Sequence, residues 1–288
     1  MIRRLLVRVT PKFIREFIRK VIFFIERVLS EVRFIITNFD NWFTTIFYRF
    51  GLLWSNNVVC ALKDGFIFKI GNSRNARIFV LTVREILKQD IYRLSDLANL
   101  SPKIFVDIGA HFGVFSIEAA KLFPNASVYS FEPDPENFYL LKQNIKLNNL
   151  EKRVIPENFA ISSRRGILKF FRNNISSLRN SLYKAPDQGD YAEVRTASIT
   201  LSDAFHKNKI EHCDLLKLDC EGAEFEILLG SSRSTFLKID RVAVEYHDHT
   251  TKYTHRDIIN FLENNGFKVS HQPSRGGRGI LNAVKIFK

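Results

Sequence analysis

Hydrophobic positions recur with a helical period over the first forty residues and in short alternating runs later. From Pro11 to about Ile36, Ile14, Ile18, Val21, Ile25, Val28, Val32 and Ile35 step by four and three, with Ile22, Leu29 and Ile36 beside them. Arg15, Glu16, Arg19, Lys20, Glu26, Arg27, Ser30, Glu31 and Arg33 fall opposite, so the pattern predicts one amphipathic helix. Pro11 suits its first turn, where a missing N–H costs little. Past Gly51, Asn57 to Ile70 reads as two strands joined around Asp64-Gly65, and residues 77–94 read as a helix. From Lys103 onward, strands are expected at 103–108, 127–132, 153–159, 214–219, 242–247, 267–271 and 282–287. Helices are expected at about 113–122, 135–148, 222–230 and 255–265. That alternation predicts an α/β fold, a parallel sheet with helices on both faces. Residues 165–200 break the rhythm: Ile167 to Phe171, a polar stretch, then Tyr191 to Ser198 predict an inserted β-hairpin with a mobile polar tip. The chain thus divides into a helical arm, residues 1–56, and an α/β body, residues 57–288.

Composition narrows the class. Of 288 residues, 45% are hydrophobic and 25% charged, which excludes wholesale disorder. No run of about 18 uncharged apolar residues exists, so neither a spanning helix nor a secretory core is expected. Cys60, Cys213 and Cys220 can build no disulfide framework and lack zinc-site spacing, so a reducing, cytoplasmic setting is expected. The formal net charge is +13, and residues 1–50 carry ten basic against four acidic residues. Such a field attracts anions without choosing among them. For the arm, packing on the body or a homodimeric partner is the first reading. An interfacial helix on the inner face of a membrane is the second, favoured by the cationic leader and by Trp42, Tyr48 and Trp54.

Candidate chemistry begins at Lys103 to Gly113. An apolar run ends in Asp107, turns through Gly109, Ala110, His111 and Gly113, and enters a helix. Glycines let the backbone pass close to a ligand, and a helix start offers free N–H groups. Asp107 is expected to accept hydrogen bonds from a cationic group of that ligand. Glu132 closes the next strand, where an acid can hold both hydroxyls of a ribose. A dinucleotide site needs G-x-G-x-x-G, whereas this chain has G-x-x-x-G. S-adenosylmethionine has no pyrophosphate and carries a cationic methionine moiety, which suits an Asp before the turn better. Asn158, near the end of the third strand, is expected either at an adenine edge or as a turn-forming residue.

A second constellation follows the fourth and fifth strands. Asp219 and Glu221 follow Leu215-Leu216-Lys217-Leu218, and Glu245 and His247 end Val242 to His247. Ligands of open α/β sheets bind outside the carboxyl ends of the strands, so all four are expected at one rim.

Here the chain resembles the FkbM-type methyltransferases, a branch of the class I S-adenosylmethionine-dependent enzymes. The resemblance rests on VDIGAHFG (106–113), FEPDPENF (131–138), NFAIS (158–162), LLKLDCEGAEFEIL (215–228) and VAVEYH (242–247). It implies a Rossmann-like sheet of about seven strands with the last antiparallel. It also implies cofactor contacts from Asp107, Gly109, Gly113 and Glu132, with Asp219 and Glu221 lining the reaction site. His111 stands where asparagine is more usual. Family members typically methylate hydroxyls on sugars and related natural products. A hydroxyl acceptor needs a base, expected first from Glu245 or His247 and second from Asp219 or Glu221. His247, Asp248 and His249 beside Glu245 permit a divalent metal, though none is expected as a resident cofactor. Arg275 and Arg278 are placed to clamp an anionic acceptor if the last strand returns antiparallel. A nucleic-acid methyltransferase is the alternative enzyme, weakened because no Asn/Asp-Pro-Pro-aromatic element is present. A non-catalytic adaptor with the same fold is the alternative outside enzymes.

Overall fold

A strand covered on both faces needs apolar residues at nearly every position. Ile104–Ile108 and Leu215–Leu218 meet that demand except at Asp107 and Lys217. The computed structural model describes residues 12–173, 191–248, 250–274 and 276–286. Helices α1 (Lys12–Asn38) and α2 (Trp42–Arg49) precede the hairpin β1 (Val58–Ala61) and β2 (Ile67–Gly71), and α3 (Ala76–Val83) follows. Then come β3 (Ile104–Ile108), α4 (Val114–Leu122), β4 (Ser127–Phe131), α5 (Pro135–Leu147), β5 (Val154–Glu157) and β6 (Ala160–Ile161). After β7 (Gly166–Asn173), β8 (Tyr191–Ile199) and α6 (Leu201–Lys207) lie β9 (Leu215–Leu218), α7 (Glu224–Leu229) and α8 (Arg233–Leu237). The chain closes with β10 (Arg241–His247), α9 (His255–Asn264), β11 (Phe267–Pro273) and β12 (Arg278–Lys285).

Seven strands form one sheet in the order β11-β12-β10-β9-β3-β4-β5. Pairs from β10 to β5 are parallel, and β12 runs antiparallel to both its neighbours. The fold is therefore a Rossmann-like α/β sheet with an antiparallel last strand. Helices cover both faces. Phe79, Phe112, Phe115 and Leu141 belong to one core, and Phe205, Phe225, Phe236 and Leu262 to the other. Chain order moves outward from β3 to β5 and resumes at β9 on β3's other side, so a crevice opens between β3 and β9.

Register places Asp107 directly opposite Lys217. Their side chains are buried and form an ion pair, Lys217 Nζ to Asp107 Oδ1 at 2.9 Å. Ser116 Oγ from α4 donates to Asp107 Oδ2 at 2.5 Å. Lys217 Nζ also donates to Gly109 O at 2.8 Å. Burial works against its charge, but Asp107 and Asp219 outweigh that and raise its pKa. On the same face, Asn144 of α5 and Asn148, which caps its C-terminus, each trade two hydrogen bonds with the backbone of β2, at Lys69 and Ile67. The amides close β2's open edge and seat the hairpin on α5.

Several boundaries differ from the sequence pattern. The helix expected over 77–94 leaves α3 through a π-helical turn at Arg84–Lys88, and Asp90 and Arg93 take positive φ. Asp90's carboxylate accepts from Leu94 N and Ser95 N, offering the backbone an alternative to continuing the helix. The strand expected over 153–159 stops at Glu157, and β6 joins β8 and β7 in a separate three-stranded sheet. The expected hairpin is β7 and β8; its tip, residues 174–190, lies outside the described residues. Helices α2, α6 and α8 span eight, seven and five residues, too short to produce a clear period. The arm splits in two. Phe13, Phe17 and Phe24 are 71%, 65% and 65% exposed, while Ile35 and Phe39 are fully buried in the core that holds Phe68 and Phe79. Arg49 pairs with buried Glu31, Nη2 to Oε2 at 2.6 Å. The cut between 56 and 57 therefore falls inside a shared core, and only the stretch before about Glu31 projects.

The buried ion pair makes a stability prediction. Lys217→Met leaves Asp107 buried without its cation, so urea unfolding should report a loss of ~3–5 kcal/mol. Asp107→Leu combined with Lys217→Met should restore most of it. A double variant no more stable than the single would mean that the pair is not the cause.

Candidate active site

The carboxyl ends of β3, β4 and β9 open onto a cleft of about 1050 Å³, its solvent mouth included. Its floor is the glycine loop. Gly109 has φ +76°, and a Cβ there would lie 1.9 Å from the carbonyl oxygen of Asp219, so this close approach requires glycine. Gly113, at φ +86°, would place a Cβ 2.5 Å from Leu141 Cδ1, where α4 starts against α5. The N–H groups of Gly109 and Ala110 both donate to Phe131 O at 3.0 Å.

Glu132 ties loop and strand together. Its Oε2 accepts from His111 N at 2.8 Å and its Oε1 from Asp134 N at 2.9 Å. Burial pushes its carboxyl up to about 7, against the pull of those N–H groups. Gly109, Ala110, His111 and Glu132 all line the cleft. Burial pushes His111 down to about 4, so it presents a neutral imidazole. A loop with no room for a Cβ, an adjoining acid with lone pairs to spare and aromatic walls at Phe112, Phe131 and Phe159 fit a nucleoside-bearing cofactor.

Two cofactor expectations need correction. Asp107 does not line the cleft: its carboxylate is fully buried and turned to Lys217 and Ser116. Asn158 does not line it either. Its amide donates to Glu132 O at 2.8 Å and Pro133 O at 3.2 Å, which fixes the turn carrying Glu132 and leaves Phe159 and Ala160 at the wall. Lys217, which does line the cleft, escaped the motif reading. A lysine inside an apolar run that reads as a buried strand was its signal, since such a charge demands a partner.

Two members of the second group form the cleft's other wall, while Glu245 and His247 stand beside them outside its lining. Asp219 and Glu221 line it, on a turn where Glu221 has φ +52° and Gly222 φ +109°. Fully buried Glu224 holds that turn, accepting from Cys220 N at 2.7 Å and Gly222 N at 2.9 Å. His247 from β10 is wedged behind it. Its Nδ1 is 3.3 Å from Glu224 Oε1, and its Nε2 is 3.4 Å from Glu221 Oε2 and 3.9 Å from Glu245 Oε1. Burial works against a charge on His247, but Glu224 and Glu221 prevail and push it up to about 9. Only 3% exposed, turned to Glu224, Glu221 and Glu245, and absent from the cleft's lining, it is not placed to take a proton from an acceptor, which corrects its assignment as base. Burial pushes Glu221 up to about 7. Burial and the charge of Asp219 raise Glu245 above the ordinary carboxylate range. Tyr92, aimed inward by the break after the π-helical turn, donates to Asp219 Oδ2 at 3.2 Å. Asp248 instead serves His255, accepting from its N and Nδ1 at 2.7 Å, so it is unsuited to the metal role foreseen for it. Arg278 sits opposite His247 in register, and its charge pulls Glu221 down against the burial. His249 and Arg275 lie outside the described residues.

Comparison with known proteins finds a family match and several relatives. Residues 107–269 match the model of the methyltransferase FkbM domain. The methyltransferase sdnD of Sordaria araneosa is 29% identical over 61% of this chain and 78% of its own. The 31-O-demethyl-FK506 methyltransferase FkbM of Streptomyces tacrolimicus is 25% identical over 65% of this chain and 80% of its own. The hexuronic acid methyltransferase AglP of Haloferax volcanii is 26% identical over 66% and 82%.

Glu132 provides a pH test. A ribose needs its ionised form, and the free protein releases that proton only near pH 7. Calorimetric affinity for S-adenosylmethionine should be flat above pH 7 and fall below it, by up to about tenfold per pH unit. Glu132→Gln should bind weakly with a flat profile. Equal wild-type affinity at pH 6 and pH 8 would rule out this role.

Proposed function

The chain belongs to the FkbM methyltransferase family, whose members draw their methyl group from S-adenosylmethionine, and we propose that it methylates a hydroxyl on a sugar, a glycan or a lipid-linked glycan. When bound, the cofactor supplies an electrophilic methyl on a sulfonium. The residues suited to hold it are Gly109 to Gly113 and Glu132. The chain's own task is alignment of an acceptor oxygen and removal of its proton. One observation carries the reading: Asp219, Glu221 and Glu245 gather at the carboxyl ends of β9 and β10. Carboxylates accept hydrogen bonds from a neutral polyhydroxylated acceptor and repel phosphates. That favours a sugar hydroxyl over a nucleic acid, despite the net charge of +13. Asp219 and Glu221 bind and orient the acceptor. Glu245, partly exposed and raised towards neutral pH by burial and by Asp219, takes the proton. Two relatives support oxygen acceptors by name, one at a 31-O position and one on a hexuronic acid. A catalytically idle adaptor would have no use for this strained turn and its shifted carboxyls.

Labelled S-adenosylmethionine tests this directly. Label should enter glycan or glycolipid fractions, and Glu245→Gln should slow transfer by ~10²–10⁴-fold with cofactor affinity unchanged. Label entering RNA, or full activity of Glu245→Gln, would refute the assignment.

The projecting part of α1 points to where the acceptor is met. No helix among the described residues is long and apolar enough to cross a membrane. Yet one half of α1 is apolar, including exposed Phe13, Phe17, Phe24, Ile25 and Leu29, and Arg15, Arg19, Lys20 and Arg27 share the other half. An apolar face this wide exceeds the seam of a two-stranded coiled coil and suits a helix lying in a bilayer interface. We infer that the arm rests on an anionic lipid surface, the cytoplasmic face of a membrane, with its arginines at the headgroups. The full chain should float with vesicles containing phosphatidylglycerol more than with phosphatidylcholine alone, and Phe17→Glu with Phe24→Glu should abolish flotation. No flotation, with dimers detected by light scattering, would assign the face to a second copy.

A further inference from the structure

We propose that Asp219, Glu221 and His247 form a site for one divalent cation at the inner wall of the cleft. The cation would hold neighbouring oxygens of the acceptor, a step that rests on the methyl-transfer reading above. One ligand atom from each residue lies within 4.8 Å of the other two. That spacing fits donors around a single ion with bonds of about 2.0–2.4 Å. The arrangement follows from the fold, because β9 and β10 are parallel neighbours that deliver their final side chains to one place.

The imidazole supplies an independent sign. His247 is buried, yet neither ring nitrogen makes an aligned hydrogen bond. Its Nδ1 faces Glu224, itself fixed by the N–H groups of Cys220 and Gly222, while its Nε2 faces Glu221 and Glu245. Carboxylate, imidazole, then metal is the order by which proteins orient a histidine ligand, with the outer carboxylate choosing the tautomer. Here that order leaves Nε2 for the ion. The surrounding charge agrees. Lys217 is committed to Asp107 and Gly109 O, so Asp219, Glu221 and Glu245 outnumber the cations beside them. Two carboxylate oxygens and one imidazole suit Mg²⁺ or Mn²⁺ and offer nothing to a thiophilic ion. Because Asp219 and Glu221 line the cleft, the remaining coordination positions open towards it. An ion there would lower the pKa of a bound hydroxyl and align it, leaving Glu245 to receive the proton.

Mn²⁺ is the probe. The full chain is titrated with Mn²⁺, free ion being followed by electron paramagnetic resonance, with no cofactor added. A second cluster among the described residues, exposed His212 with half-buried Asp214 and Asp240, lies elsewhere, so the site is identified by variants and not by stoichiometry alone. Asp219→Asn and His247→Asn should each remove one bound equivalent, and Glu224→Gln should weaken it by about 10–100-fold. Asp240→Asn should leave that equivalent in place. Circular dichroism confirms that each variant is folded, and Glu221→Gln replaces His247→Asn if the latter is not. Absence of a bound ion at millimolar Mn²⁺, or binding unchanged by both Asp219→Asn and Glu221→Gln, would overturn the site and leave His247 a fixed counter-cation. S-adenosylmethionine calorimetry in EDTA separates the two claims: a cofactor that fails to bind there contradicts the methyl-transfer reading, whatever Mn²⁺ does.

Discussion

One buried ammonium group organises the crevice. Lys217 Nζ sits between two central strands, pairs with Asp107 at 2.9 Å and donates to Gly109 O at 2.8 Å. A charge at that depth is tolerable only when its partners are fixed, so the pair favours one register of β3 against β9. That register brings Gly109 against the carbonyl of Asp219, closer than any side chain allows. The floor of the cofactor cleft and the start of the acceptor wall are thus set by a single contact.

The two walls carry different chemistry because they are solvated differently. Glu132 has both oxygens on backbone N–H groups and is raised to about 7 chiefly by burial. Glu221 and Glu245 are both raised by burial and by the charge of Asp219, and His247 pulls both the other way. An acidic interior in a protein of net charge +13 means that the positive surplus lies away from the reaction centre, much of it on the arm. The surplus positive charge and the acidic cleft thus occupy different parts of the molecule.

Much of this was readable from the residues. The run ending at Ile108, the glycine turn and the acid at 132 are local features, and local features survive in a sequence. The parallel sheet with helices on both faces followed from alternation, and the antiparallel β12 from the family resemblance. What escaped was what depends on facing directions. Asp107 was expected to meet the ligand, but a strand's side chains alternate between faces, and its own points at Lys217. His247 suits a ligand by type but is turned inward, and Asn158 takes the turn-forming one of its two readings. Tyr92 reaches Asp219 only because the helix breaks at Asp90, a side-chain effect that hydrophobic periodicity does not register. Thr200 and Asp203 form a capping box at the start of α6, a helix that escaped the pattern because seven residues make no stripe.

The central claim is that the cleft over the glycine loop seats the cofactor with its reactive end towards the carboxylates of β9 and β10. A crystal structure with S-adenosylhomocysteine bound tests it most directly. The account predicts ribose hydroxyls on Glu132 and the sulfur on the side of Asp219 and Glu221. A nucleoside bound elsewhere, or reversed so that its sulfur points away from those acids, would contradict it.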